Sequence, residues 1–360
     1  MCLSKIPTFA IHMDERKDIR ELTVRELEEV VKGAGEPAFK AKQIIGWLWK
    51  RSATSFEEMS NLSKGLRTYL ETHFELRPIQ EDVSQNSFDG TIKTRFTLHD
   101  GHLIESVLIP VPDQDRYTVC ISSQVGCSLA CSFCATGKMD RIRNLTAGEI
   151  YDQVVQMNTK CLDTYSRPIT NIVYMGMGEP LLAYKPVMQS IDHLTQPYGL
   201  DMSPKRITVS TAGIAKMIKK MADDGTRVNL ALSLHAADDI KRNAIMAINE
   251  SNNLDTLVEA LNYFFDVTKG NKLTFEYIAF DNFNESIEDA KKLLSLCRRV
   301  PSVKVNIIEY NQVEGVTLHK ADTSKTDQFA AYLKKNGISA TIRRSRGKDI
   351  DAACGQLANK

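Results

Sequence analysis

The chain has 360 residues, 42% of them hydrophobic and 25% charged, and its formal net charge is +1. A chain of this length forms one large domain of about 250 residues and a smaller one, and this composition argues against long disordered segments. With so small a net charge, the overall composition gives no electrostatic signal for a polyanionic partner.

The beginning of the sequence, MCLSKIPTFAIHMDERK, becomes charged early and lacks the apolar core of a signal peptide. No apolar run approaches the roughly 18 residues that span a bilayer. We therefore expect a cytoplasmic protein without a membrane partner. In a reducing compartment, its eight cysteines are expected to be thiols, metal ligands or catalytic groups.

From about residue 22 to residue 78 the pattern predicts only helices. In LTVRELEEVVKGAG, Thr23 is the expected N-cap, Glu26 completes a capping box, and Gly33 or Gly35 ends the helix. The segments AFKAKQIIGWLWKR and SKGLRTYLETHF carry apolar residues at helical spacing. We interpret residues 1–80 as an N-terminal helical accessory domain.

Residues 81–114 contain two alternating segments, TIKTRFTLHD and HLIESVLIP, separated by Asp100 and Gly101. This pattern predicts a β-hairpin that links the helical domain to the rest of the chain.

Over residues 115–345, apolar segments alternate with helical ones. The predicted strands are TVCISS (118–123), ITNIVYMGMG (169–178), RITVSTAG (206–213), VNLALSLH (228–235), LTFEYIAF (273–280), VKVNIIEY (303–310) and ISATIRRS (338–345). Such strands indicate a parallel sheet covered by helices. Six or seven repeats fit a full or partial β/α barrel, and a doubly wound sheet is the alternative that the pattern leaves open.

Three cysteines follow the first of these strands in the stretch CISSQVGCSLACSFCATG, where Cys127, Cys131 and Cys134 have CxxxCxxC spacing. Thiolates bind soft metals and iron–sulfur clusters, and the loop after a strand is the catalytic end of such a fold. Three thiolates can hold three irons of a [4Fe–4S] cluster and leave the fourth open. The alternatives are a zinc site completed by a distant residue and cysteines that only pack.

This spacing, followed by the glycine-acid motif GMGEP at the end of the second strand, resembles the radical SAM superfamily. Glycines there let the backbone approach a ligand. The resemblance implies that S-adenosylmethionine (SAM) binds the open iron and that Gly178 and Glu179 meet its amino group. Polar or adjacent residues at the ends of three further strands are additional candidates for the SAM pocket: Ser210, Ser233, Leu234, His235 and Asn311.

A further cysteine, Cys354, lies between small residues in the C-terminal segment, residues 346–360. Its neighbours leave the thiol open to attack, and an unprotected thiol is an oxidation liability, so we expect a chemical role; an unimportant tail thiol is the alternative. Cys120, just before the cysteine loop (residues 124–139), approaches Cys354 if the segment folds over the barrel mouth.

The segments LIESVLIP, TVCISSQVGCSLACSFCATG, YMGMGEPLL, SLHA and DIDAACGQL together resemble the RlmN family of radical SAM RNA methyltransferases. The resemblance implies a partial (β/α)6-type radical SAM barrel. It also implies methylation of carbon 2 of an adenosine in the peptidyl-transferase region of 23S ribosomal RNA, and of an adenosine beside the anticodon in transfer RNA. The related Cfr-type enzymes act on carbon 8; Pro180 after Glu179 favours the RlmN family.

The resemblance further implies a mechanism that consumes two SAM molecules. Cys354 takes a methyl group from one SAM; a second SAM, split reductively on the cluster, gives a radical that removes hydrogen from this methyl, and the methylene radical adds to carbon 2. Cys120 then forms a disulfide with Cys354 and releases the product. Glu105 is the candidate base for the carbon 2 proton, with a solvated hairpin carboxylate as the alternative.

The expected partners are 23S rRNA before ribosome assembly is complete, tRNA, and a flavodoxin-type or other low-potential electron donor, and the protein is expected to be a monomer. Phosphates approach basic side chains, and two groups are expected to flank the barrel mouth: Arg141, Arg143, Arg343, Arg344, Arg346 and Lys348. A second candidate RNA surface lies in the helical domain: Lys40, Lys42, Lys50 and Arg51.

Trp47 and Trp49, near this second surface, are predicted to be core residues. Cys2, Cys161 and Cys297 are predicted to be packing or surface thiols. Two other classes of function stay open. One is a radical SAM enzyme acting on a protein or small molecule, which needs neither a methyl-carrying cysteine nor a basic rim. The other is a non-enzymatic iron–sulfur or zinc protein that docks on ribosomes, which needs no SAM pocket.

Overall fold

The computed structural model describes residues 16–359, so the prediction for Cys2 lies outside the described residues. The chain divides after Pro78 into two compact units. Within the described range, no helix combines the length and the apolar character needed to cross a membrane.

The N-terminal unit is mainly helical. Its elements are β1 (Lys17–Asp18), a 3-10 turn (Ile19–Glu21), α1 (Val24–Gly33), α2 (Lys40–Ile45), a π-helical turn (Gly46–Lys50), α3 (Lys64–His73) and β2 (Phe74–Glu75). The pattern predicted only helices in this region, but strands β1 and β2 pair in parallel. The region is therefore not purely helical. Two-residue strands are too short to show any alternation in a sequence.

The sequence signals for α1 are confirmed. The Thr23 side chain accepts from the Glu26 N–H, the Glu26 carboxylate accepts from the Thr23 N–H, and the helix ends at Gly33. The two tryptophans differ. Trp49 is buried as predicted. Trp47 is only half-buried, and its indole N–H donates to the Asn61 side chain at 2.6 Å.

The second unit contains one mixed sheet of ten strands in the order β14-β13-β12-β11-β10-β9-β6-β5-β4-β3. The antiparallel strands are β3 (Gln80–Asn86), β4 (Ile92–Thr97) and β5 (Leu103–Val111). The parallel strands are β6 (Arg116–Cys120), β9 (Asn171–Tyr174), β10 (Ile207–Thr211), β11 (Asn229–Ser233), β12 (Leu273–Ala279), β13 (Lys304–Glu309) and β14 (Ala340–Arg343). Two short strands, β7 (Gln124–Val125) and β8 (Arg143–Asn144), pair separately.

Helices connect the parallel strands. They are α4 (Ala147–Tyr165), α5 (Tyr184–Thr195), α6 (Ala215–Asp223), α7 (Asp239–Ile245), α8 (Leu254–Val267), α9 (Ile287–Cys297) and α10 (Thr323–Lys335). Because the strand order follows the chain without reversal, right-handed crossovers place these helices on one face of the sheet. A doubly wound sheet would reverse its order at a switch point. The sheet is therefore a partial barrel, open between β14 and β3.

All seven predicted parallel strands are present at the predicted places. The segment interpreted as a hairpin linker contains the predicted β4–β5 hairpin but also β3, and all three strands extend the main sheet. Strand β3 reads QEDVSQN and is largely exposed. It has no alternation of apolar and polar residues, which explains why the sequence pattern did not reveal it.

Candidate active site

One cavity in the second unit collects most of the predicted site residues. Its walls include the following members of the predicted set: Cys120, Cys127, Cys131, Cys134, Gly178, Glu179, Ser210, Ser233, His235 and Cys354. These residues come from five different strand ends or loops and from the C-terminal segment. The parallel strands therefore do converge at their carboxyl ends, as a barrel mouth requires.

Three backbone hydrogen bonds hold the cysteine loop in place around Cys131 and Cys134. The Cys134 N–H donates to the Cys131 carbonyl at 3.1 Å, and the Ser132 N–H donates to the carbonyl of Ile245, the last residue of α7, at 3.1 Å. The Ala135 N–H donates to the Gly355 carbonyl at 2.7 Å. The loop thus bonds directly to the segment that carries Cys354.

The three cysteines of the loop are partly buried and line the same cavity. Burial raises the pKa of Cys127 to about 11, and it also raises the pKa of Cys131 and of Cys134. The neighbouring thiols Cys127 and Cys134 add to the rise at Cys131. Protonated thiols are therefore favoured at neutral pH, and thiolates at this place need a cationic group to stabilise them.

The donor set of the loop suits an iron–sulfur cluster, because thiolates are the usual ligands of such clusters. A cubic cluster binds each thiolate through a different iron, so its ligands surround a volume instead of meeting at a point. Three thiols around one cavity have this arrangement, and they fit a [4Fe–4S] group.

The loop after β9 requires glycine where it meets β7. Gly178 has a φ of +93°, and a Cβ atom on it would lie 2.5 Å from the Gln124 Cβ. The Gln124 side-chain oxygen accepts the Glu179 N–H at 2.8 Å. This close approach fixes the direction of the loop and brings Glu179 to the cavity wall.

The Glu179 carboxylate is buried and doubly hydrogen-bonded. It accepts the Leu181 N–H at 2.9 Å and the Ala212 N–H at 2.7 Å. Burial raises its pKa, and these two backbone donors oppose the rise. The carboxylate therefore ties the end of β9 to the end of β10, which carries Ser210.

Two serines and one histidine complete this side of the wall. The Ser210 and Ser233 hydroxyls lie 3.3 Å apart. His235 is buried with a left-handed φ of +56°, and its Nδ1 accepts the Ile278 N–H at 3.1 Å. Burial, together with the charge of Arg242, lowers the pKa of His235 to about 3, so the ring is neutral with its hydrogen on Nε2.

Two further thiols share the cavity with the cysteine loop. Cys120 ends β6 and Cys354 belongs to the C-terminal segment, yet both line the same wall. Cys120 is buried, whereas Cys354 is exposed to solvent. The surrounding protein raises the pKa of each thiol, and the guanidinium of Arg343 opposes this rise. Both are free thiols in the structure.

Two family models match the chain. The model described as the ribosomal RNA large subunit methyltransferase N-terminal domain matches residues 17–76, and the radical SAM superfamily model matches residues 121–294. A probable dual-specificity RNA methyltransferase RlmN of Cytophaga hutchinsonii is 54% identical over 96% of this chain and 94% of its own length. One of Christiangramia forsetii is 49% identical over 96% and 97%. This chain belongs to the RlmN family.

A solved structure supports the same conclusion for the RlmN-family fold. The crystal structure of a radical SAM methyltransferase from Sphaerobacter thermophilus superposes with a TM-score of 0.88 and 39% sequence identity, covering 96% of this chain and 100% of that one. The predicted mixed α/β radical SAM fold with an N-terminal domain is thereby confirmed.

Three predicted site residues do not line the cavity of this RlmN-family chain. Leu234 is fully buried and follows the last residue of β11, outside the cavity lining. Asn311 donates to the Glu309 carbonyl at 3.2 Å and to the Ser345 hydroxyl at 2.7 Å. It therefore holds the end of β13 against the chain that leaves β14.

Glu105 is fully buried and lies away from the cavity wall. Its Oε1 is 3.3 Å from the Lys93 ammonium, and its Oε2 accepts the N–H groups of Ala358 at 2.9 Å and Asn359 at 3.1 Å. It is thus not a solvated hairpin carboxylate. A base must touch its substrate, so the expected base role requires the C-terminal segment to move, and it stays a prediction.

The basic residues expected at the mouth are partly engaged by carboxylates. Arg143 binds Glu149 with two hydrogen bonds of 2.8 Å and Asp100 with one of 2.6 Å. Arg344 and Lys348 both pair with Glu309. In the described part of the chain, Arg141 and Arg346 have no ion pair with a carboxylate, and they are the cations of this set most available to phosphate.

Sequence reasoning missed Glu276 and Arg242. Glu276 lies on β12, lines the cavity, and accepts from Asn306 at 2.8 Å and from Arg343 at 3.3 Å. A lone acidic residue in the otherwise apolar strand LTFEYIA was the available signal. Arg242 lies on α7 in the polar stretch DIKRNAI, where the sequence gives no sign that it is buried.

Proposed function

We propose that this chain is a radical SAM methyltransferase that methylates carbon 2 of an adenosine in the peptidyl-transferase region of 23S rRNA. A tRNA adenosine beside the anticodon is the second substrate. The observation that carries the proposal is one cavity shared by three loop cysteines, a glycine-acid strand end, and two more thiols from β6 and the C-terminal segment. The name of the relatives, dual-specificity RNA methyltransferase, supports RNA as the substrate.

Cys127, Cys131 and Cys134 would hold a [4Fe–4S] cluster, with Gly178 and Glu179 near the amino group of SAM. When bound, the cluster and SAM supply a 5′-deoxyadenosyl radical able to remove hydrogen from a methyl group. Gly178 lines the cavity, and its missing side chain lets the loop pack closely against Gln124. Glu179 keeps this loop in place through its two hydrogen bonds.

Ser210 and Ser233 offer hydroxyls to the remaining polar groups of SAM. His235 stays neutral over the physiological pH range, since its pKa is lowered to about 3. It therefore offers a hydrogen-bond donor without adding a positive charge. Phe133 of the cysteine loop stacks edge-on against His235, with ring centroids 4.9 Å apart, and helps to exclude water from this wall.

Cys354 is the proposed methyl carrier. As a thiolate it attacks the methyl carbon of a SAM sulfonium, so that a bond forms between this carbon and the Cys354 sulfur and S-adenosylhomocysteine leaves with the pair of the broken bond. The Arg343 guanidinium favours this thiolate, since it opposes the rise in the pKa of Cys354. Glu276 pairs with Arg343 and fixes its position.

Cys120 is the proposed resolving thiol. The RNA adduct first loses the carbon 2 proton and one electron, which passes to the proposed redox partner. The Cys120 thiolate then attacks the Cys354 sulfur, so that a disulfide forms as the bond from this sulfur to the methylene carbon breaks. The carbon keeps the bonding pair, takes a proton and becomes the methyl group of the released base. Both thiols line the same cavity, which supports this pairing. Glu105 is retained as the candidate base, on the condition that the C-terminal segment moves with bound RNA.

The proposed partners are an electron donor and RNA. A low-potential donor of the flavodoxin type would supply the electron, and the protein would act as a cytoplasmic monomer on 23S rRNA before assembly is complete. Arg141 and Arg346 offer cations to phosphate at the mouth. In the helical unit, the Arg51 guanidinium lies 4.1 Å from the Trp47 ring centroid, an arrangement suited to stacking on a base.

The test is anaerobic turnover of the reconstituted full-length chain with SAM, a reductant and a ribosomal RNA fragment, followed by mass spectrometry of the nucleosides. We expect 2-methyladenosine from the wild type and none from Cys354→Ala. Cys120→Ala should stop after RNA attachment and leave a covalent protein–RNA adduct. Cys297→Ala, which removes a buried thiol outside the cavity, is the matched control and should retain activity.

Each other outcome changes the proposal in a defined way. 8-Methyladenosine would leave the proposed site unchanged but would show that the methyl group goes to carbon 8, as in the Cfr-type enzymes. 5′-Deoxyadenosine without methylated rRNA would direct the test to tRNA. Product from Cys354→Ala would overturn the methyl-carrier mechanism.

A further inference from the structure

Arg242 on α7 is a fully buried cation. Its Nε donates to the Leu234 carbonyl at 3.1 Å, and its Nη2 donates to the carbonyls of Ala212 at 2.5 Å and Ser233 at 3.3 Å. Its Nη1 donates to the Asn249 side-chain oxygen at 2.5 Å. All of these acceptors are neutral.

No carboxylate in the described chain forms an ion pair with this guanidinium. Asp239 is linked to it through Asn249, whose Nδ2 donates to Asp239 at 2.8 Å. Burial lowers the pKa of Arg242 to about 10, which still leaves the group charged at neutral pH. A buried charge is costly unless an opposite charge lies nearby, so an anion closer than Asp239, which acts on Arg242 through Asn249, would stabilise it further.

The Arg242 guanidinium lies behind the cavity that the cysteine loop lines, because Ala212 and Ser233, whose carbonyls accept from it, are both in the cavity wall. The Cys131 and Cys134 side chains pack against the same buried cluster as Ala212 and Met246, and the Met246 N–H donates to the Arg242 carbonyl at 2.8 Å. The Ser132 N–H, between Cys131 and Cys134, donates to the carbonyl of Ile245 at the end of α7 at 3.1 Å, so the helix that carries Arg242 is bonded to the cysteine loop. The cavity that would take the thiolates of the loop therefore adjoins Arg242.

We propose that Arg242 is a positioning residue that supplies the counter-charge for the thiolate-bound cluster and raises its reduction potential. This inference rests on the proposed function, because it takes Cys127, Cys131 and Cys134 as the cluster ligands. One-electron reduction adds negative charge to the cluster. A fixed cation in a poorly polarisable surrounding stabilises the reduced form more than the oxidised form.

The same side chain also supports the SAM strand ends. The Ala212 peptide donates its N–H to Glu179 and accepts Arg242 at its carbonyl. At the end of β11, the carbonyls of Ser233 and Leu234 also accept hydrogen bonds from the Arg242 guanidinium. Loss of hydrogen bonds at Arg242 therefore disturbs SAM binding, whereas loss of its charge alters the potential, and the two effects can be measured separately.

The experiment compares Arg242→Gln, which keeps donors but removes the charge, with Arg242→Lys, which keeps the charge. The full chain is reconstituted with iron and sulfide under anaerobic conditions, and the cluster potential is measured by titration followed by electron paramagnetic resonance. Lys241→Gln is the matched control, since it removes one charge from the adjacent residue, whose ammonium pairs with Asp289 at 2.5 Å.

We expect Arg242→Gln to move the potential to a more negative value. At a fixed ambient potential, the ratio of reduced to oxidised cluster should fall about tenfold, which corresponds to 59 mV for one electron. Arg242→Lys and Lys241→Gln should stay near the wild-type potential. SAM affinity, measured by calorimetry, should fall in Arg242→Lys although its potential is kept.

A charge swap covers the case in which Arg242→Gln fails to fold. Asn249→Asp combined with Asp239→Asn keeps the net charge and places a carboxylate directly on Arg242, so the potential should again become more negative. An unchanged potential in the folded Gln variant or in the swap would overturn the inference, as would equal shifts in the Gln and Lys variants. A wild-type chain that binds no cluster would overturn the proposed function and this inference with it.

Discussion

The carboxylate of Glu105, in the middle of β5, accepts the backbone N–H of Ala358 at 2.9 Å. A buried side chain of the sheet thus anchors the segment that carries Cys354, four residues earlier in the chain. The same carboxylate pairs with Lys93, and the two side chains are 0% and 4% exposed. Removal of the carboxylate charge leaves a buried ammonium without its partner.

We expect Glu105→Gln to lower the free energy of unfolding by about 3 kcal/mol, because breaking a buried ion pair from one side is costly. Urea unfolding measures this change. Limited proteolysis should also show faster cleavage near Ala358. Adding Lys93→Met to Glu105→Gln should recover part of the stability. Glu288→Gln, at an exposed pair with Lys291, is the control and should change stability by less than about 0.5 kcal/mol.

If Glu105→Gln kept both the stability and the protease resistance of the wild type, the carboxylate would not anchor the segment. The hydrogen bonds to Ala358 and Asn359 would then be a minor feature of the fold.

Gly178→Ala should damage the SAM wall. A Cβ at this position meets the Gln124 Cβ at 2.5 Å, and the φ of +93° is unfavourable for alanine. We expect a stability loss of at least about 1–3 kcal/mol and weaker SAM binding, measured by denaturation and calorimetry. Gly101→Ala is the matched control, because Gly101 has a φ of +79° with no atom near the added Cβ. Equal losses in the two variants would mean that backbone strain alone, without the contact, explains the effect.

Glu309 should contribute stability that depends on pH. Burial alone would raise its pKa, but hydrogen bonds from Arg344, Lys348, Ser345 and Lys320 outweigh this effect and lower the pKa to about 2, from an ordinary value of 4.5. A depressed carboxyl pKa stabilises the fold above pH 4.5, and this stabilisation is lost as the pH falls towards 2.

The difference in unfolding free energy between wild type and Glu309→Gln should therefore be largest above pH 4.5 and should shrink between pH 4.5 and pH 2. Denaturant unfolding at a series of pH values measures it. High salt should reduce the difference at neutral pH, since the cationic partners are half-exposed. A difference that stays constant down to pH 2 would contradict the prediction.

Arg346→Gln should weaken RNA binding by removing one phosphate contact. Its guanidinium has one weak hydrogen bond, 3.3 Å to the Asp89 carbonyl, so it is free to meet phosphate. The slope of log affinity against log salt should become smaller by about 0.7–0.9, measured by fluorescence anisotropy with an RNA hairpin. Lys291→Gln, on α9 and paired with Glu288, should leave affinity and slope unchanged. An unchanged slope for Arg346→Gln would remove this residue from the proposed RNA surface.

Sequence patterns predicted the elements of this fold better than the side-chain contacts within it. The seven parallel strands are continuous apolar runs, and the capping box of Thr23 and Glu26 is a local signal, so both could be predicted. The CxxxCxxC motif is also local, because its three residues lie on one loop. Such features depend on neighbours in the sequence, which is why a single chain reveals them.

The contacts that could not be predicted join distant parts of the chain. Glu105 meets Ala358 across 253 residues, and Asn311 turns to Ser345 instead of the cavity. No spacing rule links such pairs, since their meeting depends on the path of the whole sheet. Arg242 is similar, because a polar helix with a buried guanidinium looks like a surface helix until the strand-end carbonyls are seen around it.

The open barrel has a consequence for association between molecules. Two strands, β3 and β14, lie at the edges of the ten-stranded sheet, and an unpaired edge invites another strand to add. Strand β14 has only four residues. Strand β3 carries Glu81 and Asp82 and has a bulge between Glu81 and Val83. Short length, like charges and a bulge all discourage edge-to-edge pairing, so the barrel can stay open for its substrate without a tendency to aggregate through its sheet.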